Sequence, residues 1–144
     1  MKSISFLAII FLLFACSKPN QALRDGFWTF QVFQDKNTGD FETDTLRHHQ
    51  IVLSFTKSGD CNLTSIVNNC SGSYKIYNGI KIENLACTKM ASVDSLDNVL
   101  ENRFIEALTN AQTFHIIDSV LKIQYKNQTD HMNELVFSKN DCAC

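Results

Sequence analysis

One stretch of this chain has the period of a helix, and it lies among runs that have the period of a strand. From Asp94 to Asn110, Leu96, Val99, Leu100, Phe104, Ala107 and Leu108 recur at three- and four-residue spacing. Asp97, Glu101, Asn102 and Glu106 fall on the opposite face, which makes the segment an amphipathic helix. Ser92, Asp94 or Ser95 can cap its start. The apolar runs before and after it are short and strand-like. About five strands, one helix and three further strands have one economical solution: an antiparallel sheet that curls around the helix, an α+β domain.

The strands are read from alternation. Phe27–Gln34 sets Trp28, Phe30 and Val32 against Thr29 and Gln31, and Phe33 marks the second face as partly covered. His49–Thr56 places Ile51, Leu53 and Phe55 on one face, and Lys57-Ser58-Gly59-Asp60 turns the chain into Cys61–Val67. Thr113–Ile117, Val120–Lys126 and Asn133–Ser138 follow the helix. Asp35 to His49 is polar, contains Gly39 and reads as an exposed loop without a role. Ser73–Tyr77 and Ile80–Asn84 flank Asn78-Gly79, a strong hairpin signal. Two registers are open there. A two-residue turn pairs Ile76 with Lys81. A three-residue loop with Gly79 left-handed pairs Ile76 with Ile80 and gathers Tyr74, Ile76, Ile80 and Ile82 on one face, the expected arrangement near the turn.

The amino terminus supplies an address. Lys2, an apolar run from Ile4 to Phe14, and then Leu13-Phe14-Ala15-Cys16 form a secretory signal ending in the cleavage pattern of a bacterial lipoprotein. Residues 1–15 would be the signal peptide, and Cys16 would carry lipid as the first mature residue. Removing 15 of 144 residues leaves 129, enough for one domain with one core. Residues 16–25 are polar, hold Pro19 and read as a lipidated tether, followed by a domain over 26–138 and a Cys-containing tail over 139–144. Lys and Arg are scattered, and the mature chain has 12 of them against 15 Asp and Glu, so nucleic acid is not an expected partner. No second apolar run approaches the roughly 20 residues of a spanning helix. The expected partner is the membrane, reached through acyl chains such as palmitate on Cys16 alone. The expected location is the cell envelope. Ser17-Lys18 lacks the aspartate that retains some lipoproteins at an inner membrane, which favours the periplasmic face of the outer membrane.

Six cysteines in an exported chain resemble three disulfides. Lipid on Cys16 changes the count, because Cys61, Cys70, Cys87, Cys142 and Cys144 then leave at least one thiol unpaired.

Four short motifs, taken in order, resemble the META domain family of HslJ-like heat-shock and envelope lipoproteins. They are Asn68-Asn69-Cys70-Ser71-Gly72-Ser73-Tyr74, Leu85-Ala86-Cys87-Thr88-Lys89-Met90-Ala91, Phe104 with Ala107-Leu108, and Glu134-Leu135-Val136-Phe137. Trp28 matches the tryptophan common in the family's first strand. The resemblance spans about residues 26–138 and implies an open, cracked-barrel-like sheet of about eight strands with one helix. It is similar to the barrel of a lipid-binding pilot protein of secretion systems. It also implies a role in stress tolerance, with no established catalytic residues. Where the family has its two cysteines, this chain has Val67 and Ser92, and Cys70 and Cys87 stand nearby instead. A relocated cross-strand bridge would have this pattern. The two-residue turn would put Cys70 and Cys87 opposite each other, within disulfide range. The three-residue loop would offset them by one, and a one-residue bulge between Tyr74 and Cys87 would bring them back.

Candidate chemistry is sparse. Cys142-Ala143-Cys144 is a paired-thiol candidate, but one of the two bridged to Cys61 with the other spare is the simpler expectation. His48 and His49 are adjacent, so regular strand geometry points them apart, and His115 and His131 lie elsewhere; neither a metal site nor a cofactor is expected. No nucleophile elbow or paired-carboxylate motif stands out. Asn68, Gly72, Tyr74, Thr88 and Met90 carry the family motif and are expected to be structural: Asn68 tying a strand end, Gly72 allowing close approach. Tyr74, Tyr77, Phe104 and Phe114 read as core residues. The expectation is therefore a non-enzymatic, lipid-anchored envelope protein that binds an envelope protein or supports the envelope under stress. The alternatives are a hydrophobic-ligand or lipid carrier using the barrel interior, and a thiol-active protein centred on Cys142 and Cys144.

Overall fold

The structure, a computed structural model, describes residues 19–24, 26–36, 38–39, 41–42 and 50–140. The elements are α1 (Pro19–Arg24), β1 (Phe27–Asp35), β2 (Phe41–Glu42), β3 (Val52–Phe55), β4 (Asp60–Thr64), β5 (Asn69–Ile76) and β6 (Ile80–Cys87). Then come α2 (Ser95–Thr109), β7 (Ala111–Ile117), β8 (Val120–Lys126) and β9 (Met132–Asn140). Eight strands form one antiparallel sheet in the order β6-β5-β4-β3-β1-β9-β8-β7, and two-residue β2 pairs with β1 inside the segment read as a loop. The sheet curls until its edge strands approach but does not close. Gly79, in the β5–β6 turn, lies so near the backbone of β7 that a Cβ there would sit 2.0 Å from the Gln112 carbonyl oxygen.

The two hairpin registers both occur. Ile76 pairs with Ile80 and Tyr74 with Ile82, as the three-residue loop requires, and then a shift between Ser71 and Ser73 places Cys70 opposite Cys87. The bulge is accommodated by Asn84 at φ 54° and by Gly72, whose added Cβ would meet the Glu83 carbonyl oxygen at 2.8 Å. In the turn, Asn78 (φ 53°) takes the left-handed position expected of Gly79, which instead lies at φ 147°.

Helix α2 closes one end of the curled sheet. Asp94 caps it, accepting a hydrogen bond from the Leu96 amide at 2.8 Å. Leu100, Phe104, Ala107 and Leu108 are buried as the stripe predicts, but Leu96 and Val99 are exposed. Phe30 packs edge-on against Phe33, Phe104 and Phe137 at centroid distances of 4.9, 5.0 and 5.6 Å. A register shift between Phe30 and Val32 accounts for Phe33: the bulge turns this side chain into the core instead of onto the second face.

At the other end lies α1, where a tether was expected. Leu23 is wholly buried, its carbonyl accepts a hydrogen bond from Trp28 Nε1 at 3.0 Å, and Arg24 Nε donates to the Tyr74 hydroxyl at 2.8 Å. The register groups several features at this lower rim. Phe27 pairs with Ser54 and Asn140, Ile117 with Val120, and Val120 with Ser138. The Tyr77–Gly79 turn joins them through Asn20, which shares a groove with Ile76, Asn78, Gly79 and Ile117. The upper rim carries Ser65–Asn68, residues 88–92 and the start of α2.

Candidate functional site

The motif residues converge at the upper rim. Asn68 Oδ1 accepts from Thr88 Oγ1 at 2.8 Å and from the Met90 amide at 2.9 Å, while its Nδ2 donates to the Met90 carbonyl at 3.2 Å. The Thr88 amide donates to the Asn69 carbonyl at 3.0 Å, and Thr88 Oγ1 accepts from the Asn69 amide at 3.2 Å. One buried amide thus substitutes for a missing rung of the ladder and fixes the path from β6 to α2. Asn68, Thr88 and Met90 form a structural clip. The Met90 side chain itself is exposed.

Glu101 is the functional-looking residue that sequence reasoning placed wrongly. It was expected to face outward, but it is 4 % exposed. One carboxylate oxygen accepts from the Ser65 hydroxyl and from the Ile66 and Val67 amides, the latter two at 3.1 and 3.3 Å. These donors end β4, and the carboxylate closes them much as a cap closes a helix. The other oxygen is buried and has no protein partner. Its spacing from Leu100 and Phe104, at the edge of the apolar stripe, was the only signal in the sequence.

Cys70 and Cys87 form a disulfide with their Cα atoms 4.0 Å apart. The bridge expected between Cys61 and a tail cysteine is not formed. Cys61 is a free, wholly buried thiol on β4, and burial pushes its pKa up to about 12. Such a thiol is a poor nucleophile at neutral pH. Cys16, Cys142, Cys144, His48 and His49 lie outside the described residues. Among the described residues no group of three or more His, Cys, Asp or Glu could hold a metal ion.

Tyr74 is in the core as expected. Its hydroxyl donates to the Thr56 carbonyl at 2.6 Å, and its ring meets Phe55 edge-on. Tyr77, also read as core, is 88 % exposed at the tip of the β5–β6 turn. Phe114 is half-buried and lines the lower-rim groove, a hollow of about 450 Å³ shared with Ile76, Ile116, Ile117 and Asn20. The barrel interior itself is filled by Trp28, Phe30, Phe104, Phe137, Leu121 and Ile123.

On the outer face, polar side chains run straight across four strands. Gln34, Glu134, Gln124 and Thr113 are successive cross-strand partners. Gln124 Nε2 donates to Glu134 at 2.8 Å, Thr113 Oγ1 donates to Gln124 Oε1 at 2.8 Å, and Lys122 Nζ lies 3.4 Å from Glu134. This row pairs its own members across the outer face and explains the buried Glu134 of the fourth motif.

The sequence profile of the META domain matches residues 21–141. That range includes most of α1, in accord with its docked position. A protein from Burkholderia xenovorans, solved by NMR, superposes with a TM-score of 0.62 at 18% identity, covering 97% of this chain and 96% of its own. A DUF4847 family protein from Bacteroides vulgatus, solved by crystallography, gives 0.59 at 17% identity, covering 84% and 96%. At such identities the likeness concerns the fold. No curated protein matches the chain in sequence.

Proposed function

Since the chain belongs to the META domain family, we propose that it is a lipid-anchored protein of the bacterial cell envelope, acting by binding and not by catalysis. The observation that carries this reading is Leu13-Phe14-Ala15-Cys16 behind Lys2 and the apolar run from Ile4 to Phe14. Lipid on Cys16 would hold the domain at the periplasmic face of the outer membrane, where a disulfide and a filled core suit a role in envelope maintenance under stress. The anchor is testable by phase partition. Wild-type protein should enter the detergent phase of a cell-envelope extract, and Cys16→Ser should remain an uncleaved, unlipidated precursor. Wild-type protein found in the aqueous phase with an unmodified cysteine would refute the anchor.

A second reading, a carrier of a hydrophobic ligand, has one observation in its favour. The lower-rim groove, at about 450 Å³, falls within the roughly 300–1,000 Å³ of small-molecule sites, and Ile76, Phe114, Ile116 and Ile117 give it a mostly apolar surface. The filled interior directs such a ligand to this groove and away from the centre of the barrel. Native mass spectrometry of the protein from an envelope extract checks it: a retained lipid supports the carrier, and a bare protein removes it.

A further inference from the structure

Among the described residues, the exposed large apolar side chains fall into two groups at opposite ends of the sheet. Met90, Val93, Leu96 and Val99 lie at the upper rim, beside the start of α2. Phe27, Tyr77 and Ile117 lie at the lower rim, 51, 88 and 68 % exposed. With about 3.3 Å per residue and the tilt a curled sheet needs, eight-residue strands set the two rims roughly 20 Å apart. The rims differ in one respect: the lower one is where the chain comes from Cys16.

The docking of α1 makes that difference quantitative. A free tether over residues 17–25 would let the domain roam about 30 Å from its lipid. With the folded body beginning at Pro19, three residue steps separate it from Cys16, a reach of at most about 10 Å. Asn20, the next residue, already borders the groove formed with Ile76, Asn78, Gly79, Phe114 and Ile117. Trp28 and Arg24 hold α1 in place through Leu23 and Tyr74, so the short leash pulls on one fixed point of the rim. A second hollow of about 310 Å³, bordered by His115, Ile117, Asp118, Val120 and Lys122, lies beside it.

On the reading that Cys16 is lipidated, we infer that the lower rim is seated in the interfacial layer of the membrane that holds the anchor, with Tyr77 and Ile117 entering it. Tyr77 suits that layer, since its ring is apolar and its hydroxyl prefers the headgroups. A small apolar area suffices because the anchor supplies the local concentration that the contact alone would lack. The upper rim, with Met90, Val93, Leu96 and Val99, then faces the aqueous side.

The test uses the full lipidated protein in vesicles of phosphatidylethanolamine and phosphatidylglycerol that contain headgroup-labelled nitroxide lipid. Tyr77→Trp and Val93→Trp place a reporter on each rim at exposed positions that bear no core contact, above the constant background of buried Trp28. The inference predicts a blue-shifted emission for Tyr77→Trp, quenched several-fold more by the nitroxide lipid than that of Val93→Trp. Equal quenching of the two, in protein that carries lipid and floats with the vesicles, overturns the inference and leaves the anchor standing. A blue shift at position 77 without nitroxide quenching also overturns it, because a second copy or another protein then covers the rim. Protein that neither carries lipid by intact mass nor floats overturns the anchor and the inference together.

Discussion

Glu101 puts an acidic side chain inside this domain for a structural reason. Its carboxylate collects the Ser65 hydroxyl and two backbone amides that the end of β4 would otherwise leave unsatisfied. Glu101→Ala strands those buried donors and should cost about 2–4 kcal/mol in a denaturant titration. Glu101→Gln keeps one acceptor and should cost distinctly less. A Glu101→Ala protein as stable as wild type would show that water replaces the carboxylate at no cost. Glu83 is a contrasting acid. Hydrogen bonds from Lys75 and then Lys81 lower its pKa to about 2, although it is only half-buried. Because the folded value is depressed, its contribution is complete above the ordinary carboxylate range, near pH 4–5, and fades as pH falls toward 2. Glu83→Gln should therefore flatten the acid limb of a stability profile, and added salt should shrink the difference. An acid limb unchanged by the substitution would contradict this assignment.

Among the elements, the hairpin of β5 and β6 depends on two devices, its bulge and its bridge. A disulfide closing an 18-residue loop contributes on the order of 3 kcal/mol. The double substitution Cys70→Ser with Cys87→Ser should lower the denaturation midpoint accordingly, and an unshifted midpoint would mean that the hairpin is held by its neighbours alone. Helix α1 depends on tertiary contact. Leu23→Ala should cost about 2–4 kcal/mol because the side chain is wholly buried; a loss below about 0.5 kcal/mol would return this segment to a tether. Alternation in the sequence was enough to find the eight long strands, and Val120–Lys126 even had its observed ends. The α2 stripe was legible from Leu100 onward, but not the exposure of Leu96 and Val99, since that depends on which neighbours the rest of the chain brings to them. Helix α1 was invisible because six residues carry no period and form a helix only when something holds them. Glu101 was read from its charge, which favours the surface unless donors elsewhere in the chain reach it. The bulge at Ser71–Ser73 was legible as a choice, because only a shift reconciles the apolar face of the turn with facing cysteines.

For the whole molecule, the curled sheet has two functionally distinct ends. Motif residues Asn68, Thr88 and Met90 build the upper one, and α1 fastens the lower one to the segment that leads from Cys16. This arrangement places Cys61 where reagents cannot reach it. It should resist alkylation at neutral pH in folded protein and react at once on unfolding, whereas ready labelling of Cys61 in the native state would show that the β4 region opens. The cysteine inventory and the anchor meet in the intact mass of protein extracted from membranes, taken before and after reduction. A chain beginning at Cys16 with lipid attached, in which reduction opens the Cys70–Cys87 bridge, is the predicted result. An unlipidated chain, or one still beginning at Met1, would contradict the envelope anchor at its root.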